Sequence, residues 1–264
     1  MSTTKNLALI FTKVPTGFPV PGEDLQVKDV GFDLNQDAPP NGLVLEILYS
    51  SFDPYLRGKL RDPSIKTYSP AFLLGHPLEV WSLAKVLKSR LDGYSEGDIV
   101  RHVLPVQQYV TFTVGEDGAK PRKIDAQQAE GIDIRNYIGA LGMPGLTAYS
   151  SFYEIGKPKK GETIFVSSAA GAVGQLVGQL AKRDGLKVIG SVGSDQKLKF
   201  ITETLGFDGG FNYKKETTAD ALKRLAPDGI DIFYDNVCPA IPLLGGRLTQ
   251  MVTTGRRRTT CRIT

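Results

Sequence analysis

Cysteine is almost missing from this sequence. Only Cys238 and Cys261 occur, both near the C-terminal end. No disulfide framework can therefore staple the body of the chain, and no thiolate can ligate a metal before residue 238. Long apolar runs are missing too. Nothing reaches the roughly 18 to 20 uninterrupted apolar residues that a membrane helix needs. The opening MSTTKNLALIFTK holds one short apolar run and no cleavage-site pattern. The reading is a soluble cytoplasmic protein with no membrane partner.

Acidic residues are absent from the last stretch. Residues 238–264 contain Arg247, Arg256, Arg257, Arg258 and Arg262 but no Lys, Asp or Glu. The formal net charge is +4, and removing these five arginines leaves −1 for residues 1–237. Basicity is thus a property of the tail and says little about what the body binds. The arginines lack interleaved aromatics or a nucleic-acid-binding motif, so no nucleic-acid partner is expected.

With 264 residues the chain can hold one large domain or two modest ones. No internal repeat is visible. Over residues 1–130, short strands and turns are punctuated by Pro and Gly, which suits an irregular β-rich domain. Residues 43–50 (LVLEILYS) read as a strand opened by Asn41-Gly42, and Gly97-Asp98 leads into another at Ile99. From Gly139 the pattern changes. A helix is predicted over 148–155 after a Pro144-Gly145 turn. Strand 163–167 (TIFVS) precedes helix 172–183, whose apolar residues fall at 173, 176, 177 and 180. Strand 187–189 follows. Then come a Ser194-capped helix to about Leu205, a strand ending over 211–213, helix 219–225 and strand 230–234. Strands alternating with helices in this way predict an α/β fold with a doubly wound parallel sheet.

The turn between strand 163–167 and helix 172–183 carries Gly171-Ala172-Val173-Gly174, with Gly178 one helical turn on. In this strand–turn–helix context the glycines point to dinucleotide binding. Gly171 lets the backbone approach a pyrophosphate, Gly174 lets the helix pack close to the strand, and free helix N–H groups bind the phosphates. A plain tight turn of small residues remains the alternative. An NAD site would carry an acid about 20 positions on, at the tip of the next strand. Here the tip is Gly190-Ser191-Val192-Gly193. Asp195 falls later, in the first helical turn, where a carboxylate suits the helix dipole. Lys197 on the same turn can reach a 2′-phosphate, or can be a solvated helix lysine. The missing acid and this lysine together favour NADP(H) over NAD.

Five segments carry a resemblance: SSFDPYLRG (50–58), LGMPGLTAYSSFYEIGKPKKGETIFVSSAAGAVGQLVGQLAK (141–182), GSVGSDQKLKFI (190–201), GFDGGFNYKKE (206–216) and FYDNV (233–237). In order and spacing they resemble the zinc-independent, NADPH-dependent alkenal double-bond reductases, the leukotriene/prostaglandin reductase-like group of the medium-chain dehydrogenase/reductase superfamily. The resemblance implies a GroES-like catalytic domain over 1–130 and a Rossmann NADP-binding domain over 131–237. It implies that Gly171 to Gly174 hold the pyrophosphate, and that Lys197 and Tyr213 contact the 2′-phosphate and adenosine. Asn236 would sit by the cofactor, with Met143 and Thr147 near the nicotinamide. Tyr55 and Arg57 would face the substrate. Tyr213 as a surface aromatic, Arg57 as a structural ion pair and Met143 as core filler stay open.

Zinc-dependent relatives carry a Cys near the position of Ser51 and a Gly-His-Glu motif, whereas Gly75-His76-Pro77 keeps only the His. The implied reaction is hydride transfer to the β-carbon of an α,β-unsaturated aldehyde or ketone. A hydroxyl such as that of Tyr55 would stabilise the developing enolate oxygen. A quinone reductase of the same superfamily, or a catalytically inactive NADP-binding protein, are the alternatives. After Val237 the family pattern stops. Residues 238–264 show no strand or helix period, and are expected to be a disordered basic tail on a C-terminally truncated, incomplete Rossmann sheet. Such a chain is expected to be inactive and to lose the homodimer edge of its longer relatives.

Overall fold

The computed structural model describes residues 3–125 and 130–236, together with the backbone of 247–250. The chain divides into two compact units, Met1–Ile138 and Gly139–Thr264.

In the first unit, β1 (Leu7–Phe11) pairs antiparallel with β2 (Leu25–Asp29). A five-stranded antiparallel sheet is built from β3 (Gly42–Ser50), β4 (Glu79–Ser89), β5 (Ile99–Pro105), β6 (Tyr109–Thr113) and β7 (Arg122–Lys123), in the order β6-β3-β4-β5-β7. Residues two apart on a strand share a face, and Leu43 with Leu45, and Ala84 with Val86, are buried together against Val100, Leu104 and Val110. The Asn41-Gly42 signal has a concrete cause. Asn41 takes a left-handed φ of 54°, and a Cβ on Gly42 would lie 2.3 Å from the Phe112 carbonyl oxygen. Between β3 and β4 the chain forms a 3₁₀ turn, Pro54–Lys59. Its Leu56 is buried with Phe11, Leu60, Phe72, Leu78 and Val80, and Tyr55 packs against the rim of that cluster.

The second unit is a parallel sheet of β8 (Thr163–Val166), β9 (Lys187–Val192), β10 (Gly209–Asn212), β11 (Ile232–Asp235) and β12 (Arg247–Gln250). The order is β10-β9-β8-β11-β12, so successive strands run outward from β8 in one direction and then in the other. Helices α1 (Met143–Ser150), α2 (Ala172–Arg183), α3 (Asp195–Lys199) and α4 (Thr218–Leu225) connect or flank these strands. The short uniform apolar runs are explained by burial on both faces. Ile164, Val166, Val188, Val192, Ile232 and Tyr234 pack with Phe152, Val177 and Ala181 on one side. Phe165, Ile189, Phe211 and Phe233 pack with Ala221 and Leu222 on the other. Phe165 stacks between Phe233, at 5.1 Å, and Phe211, at 5.9 Å.

Two expectations change. The helix expected over 148–155 starts at Met143 and continues beyond Ser150 as a wider turn, Ser151–Gly156. Pro144-Gly145 is its first turn rather than the loop before it. Proline is preset for that position, and a Cβ on Gly145 would lie 1.6 Å from the Ala140 carbonyl oxygen. The second change lies in the stretch read as a patternless tail. Arg247–Gln250 pairs parallel with β11, Ile232 opposite Arg247 through Asp235 opposite Gln250. The sheet therefore gains a fifth strand beyond β11. Backbone hydrogen bonding along an open sheet edge needs no side-chain period, which is why the sequence carried no sign of it. The rest of 238–264 lies outside the described residues.

Helix α2 packs so closely that a Cβ on Gly178 would fall 1.9 Å from the Phe207 ring. Gly178→Ala is expected to lower unfolding stability by about 2 kcal/mol, the usual cost of overpacking a core. Urea unfolding of the two proteins measures it, and a change under about 0.5 kcal/mol would show that the ring yields freely.

Candidate functional site

The strands β8 and β11 are where the strand order reverses, and in open α/β sheets ligands bind outside the carboxyl ends of the strands at that point. Here β8 is followed by Ser167-Ser168. Ser168 holds a left-handed φ of 49°, uncommon for a residue with a side chain. Its carbonyl oxygen accepts from the Gly171 N–H at 2.9 Å, closing the turn. A Cβ on Gly174 would lie 2.5 Å from that same carbonyl and 3.0 Å from the Ala169 Cα. Only glycine at 174 lets α2 begin this close to the strand end. Gly171 is the N-cap of α2 with extended backbone, no side chain caps the helix, and its first turn holds no acid. The amides of Ala172, Val173 and Gly174 are first-turn donors with no partner inside the helix.

Asn236 joins this turn through Ser167. Its backbone N–H donates to Ser167 Oγ at 2.8 Å and its side-chain amide to the Ser167 carbonyl at 2.9 Å. Ser167 Oγ in turn donates to Asp235 Oδ1 at 2.7 Å. The Ser167–Asp235 pair is buried and fixes the orientation of Asn236. Sequence reasoning missed both residues, because their partnership spans 68 positions.

Met143 and Thr147 stand one turn apart on α1, both partly buried. The Thr147 carbonyl accepts from Ser151 Oγ at 2.6 Å, and that hydroxyl lies 2.6 Å from Tyr234 Oη. Burial pushes the Tyr234 hydroxyl above its ordinary pKa, and because Ser151 directs its own proton to the Thr147 carbonyl, the serine oxygen is left to accept from Tyr234. The chain thereby ties the wider turn after α1 to β11.

At the tip of β9 no carboxylate is present in residues 190–193. Tyr213 lies over Gly193, where a Cβ would be 2.7 Å from its hydroxyl oxygen. Lys197 is exposed on α3, its N–H bonded to the Ser194 cap at 3.3 Å. Asp195 does more than suit the helix end. Its Oδ1 accepts from Asn212 Nδ2 at 2.9 Å and its Oδ2 from Lys215 Nζ at 2.5 Å. The Asn212 amide, followed by the Lys215 ammonium, holds this carboxyl below its usual range.

In the first unit, Tyr55 is half-buried, and burial, then the charges of Asp53 and Tyr68, push its pKa above the ordinary tyrosine value. Burial also raises the Asp53 carboxyl, against the Ser51 hydrogen bond. Arg57 donates to the Gly17 carbonyl, so its guanidinium secures the 14–21 loop against the Tyr55 turn. His76 contributes backbone bonds, its carbonyl accepting from the Phe11 N–H at 3.0 Å. Among the described residues, no three His, Cys, Asp or Glu side chains gather as a metal-binding group, and no helix is long and apolar enough to cross a membrane.

Residues 8–120 match the family profile described as the N-terminal domain of oxidoreductase, and 172–243 that described as zinc-binding dehydrogenase. An NADP-dependent oxidoreductase of Cochliobolus heterostrophus is 51% identical over 233 residues, which is 88% of this chain and 65% of that protein. The chain belongs to the medium-chain dehydrogenase/reductase superfamily. Another member, the NADP(+)-dependent 2-alkenal reductase of Nicotiana tabacum, is 41% identical over 88% of this chain and 66% of its own length. Among solved members, CurA of Vibrio vulnificus in complex with NADPH superposes with a TM-score of 0.74 at 29% identity, covering 88% of this chain and 65% of that one. The chain thus spans slightly under two thirds of the length of the curated relatives it matches, 65% and 66% in these two.

Ser167→Ala would leave the buried Asp235 carboxylate and the Asn236 N–H without their shared partner. It is expected to lower unfolding stability by about 2 kcal/mol. Denaturant unfolding checks this, and an unchanged midpoint would mean that the hydroxyl is dispensable.

Proposed function

We propose that this chain binds NADPH and belongs to a reductase that saturates the carbon–carbon double bond of α,β-unsaturated aldehydes and ketones. The observation that carries the nucleotide half is the β8–α2 turn, where a tight glycine start to an uncapped helix meets a β9 tip free of carboxylate. A pyrophosphate fits such a turn, since it offers amide donors and a helix start with no competing acid. In this reading the amides of Ala172, Val173 and Gly174 bind the pyrophosphate, and Gly171, its own N–H held by Ser168, lets the backbone approach it. Lys197 and Tyr213 receive the 2′-phosphate and adenosine, and Asn236, Met143 and Thr147 border the nicotinamide. The substrate class is supported by the relatives, the tobacco 2-alkenal reductase in particular.

Reduced nicotinamide supplies a hydride when bound. The protein's task is to position the reactants and to meet negative charge as it develops on the substrate carbonyl oxygen. Tyr55 suits the second role, because its half-buried phenol is protonated at neutral pH and able to donate. Arg57 supports it by holding the neighbouring loop.

Calorimetric titration of the purified chain is expected to give an NADPH affinity at least about tenfold above that for NADH, equivalent to ~1.4 kcal/mol. Consumption of NADPH on adding 2-hexenal would then identify the substrate class. Equal affinities, or no binding of either nucleotide, would contradict the proposal.

A further inference from the structure

Asp195 poses a problem for a site that takes a 2′-phosphate. It stands in the first turn of α3, two residues before Lys197, and an exposed carboxylate there opposes a second anion. It also lies at about the spacing from the glycine turn at which an acid accepts from a ribose diol in NAD sites. We propose that Lys215 and Asn212 cancel and hold Asp195, and that this trio sets the preference for the phosphorylated nucleotide. The inference rests on the nucleotide reading above and adds the residues that decide between its two forms.

Both carboxylate oxygens of Asp195 already accept, one from Asn212 and one from Lys215. The orientation of the Asn212 amide is fixed from its other end, where Oδ1 accepts from the Lys214 N–H at 3.1 Å. Asn212 is the last residue of β10, paired in register with Val192 at the end of β9. Lys215 is positioned by the turn that follows, its N–H donating to the Asn212 carbonyl at 2.9 Å. The neighbouring acid, Glu216, is engaged elsewhere, by Arg224 at 2.7 Å. With Lys215 present, Asp195, Lys197 and Lys215 sum to one positive charge, and Lys199 adds to the positive field on Asp195. Without Lys215 the remaining two, Asp195 and Lys197, sum to zero, and Asp195 is held by an amide alone, free to turn toward a ribose hydroxyl. The Asp195 and Lys215 side chains are 56% and 67% exposed, so salt weakens the effect.

The test is calorimetric titration of NADPH and NADH, at low and at high salt, against the wild-type chain, Lys215→Met, Lys215→Arg, Asp195→Asn and the double variant Asp195→Asn with Lys215→Met. Lys215→Met is expected to weaken NADPH about tenfold at low salt (~1.4 kcal/mol), less at high salt, and to leave NADH within about twofold. Lys215→Arg should keep the wild-type preference, the double variant should regain most of it, and Asp195→Asn alone should keep it at least as high. The inference is overturned if Lys215→Met weakens both nucleotides together, which is what a merely structural role gives, or leaves NADPH unchanged. Loss of NADPH preference in Asp195→Asn, which does not depend on the folding of the lysine variant, also overturns it. A wild-type chain that does not distinguish the nucleotides removes the functional reading itself, a result visible before any variant is made.

Discussion

The second unit is organised around one close approach, that of α2 to the end of β8. The missing side chain at Gly174 lets the helix start against the Ser168 carbonyl, and Ser168 bends back in a left-handed conformation to present it. A side chain at 174 would push the helix away from the strand and, with it, the first-turn amides. Gly178 repeats the constraint one turn later against Phe207, and Gly190 does so from the strand side, where a Cβ would lie 2.6 Å from the Ala169 Cβ. Three contacts that only glycine permits thus fix the helix on the sheet, and the helix start on the carboxyl end of β8.

Charge is arranged around this frame more than within it. The α2 start has no acid, and the β9 tip has none. The one nearby carboxylate of α3 is met by an ammonium and an amide from the end of β10 and its following turn. In the first unit, by contrast, burial raises the pKa values of both Asp53 and Tyr55.

Most of the parallel sheet was legible because strands buried on both faces read as short apolar runs, as in residues 163–166, and because α2 shows a helical apolar spacing. The glycine turn was legible for the same reason, since its neighbours announced a strand and a helix. What escaped depended on distance or on backbone alone. Pro144-Gly145 looked like a turn because the Ala140 carbonyl that demands Gly145 lies outside the dipeptide. Strand β12 is paired through its backbone and left no side-chain signature. Asp195 could be seen as an acid in a helical turn, but its neutralisation comes from residues 17 and 20 positions away. The Arg57 bond to Gly17 spans 40 positions, so no local pattern announced it.

Hydrogen exchange of the chain with and without NADPH tests the central claim most directly, because it reads the backbone amides themselves. The account predicts added protection confined to the turn and first helical turn over residues 168–175, the β9 tip and α3 start over 190–197, and the segment around Tyr213, with less protection under NADH. Protection absent from 168–175, or NADPH-induced protection falling elsewhere in the chain, would contradict it.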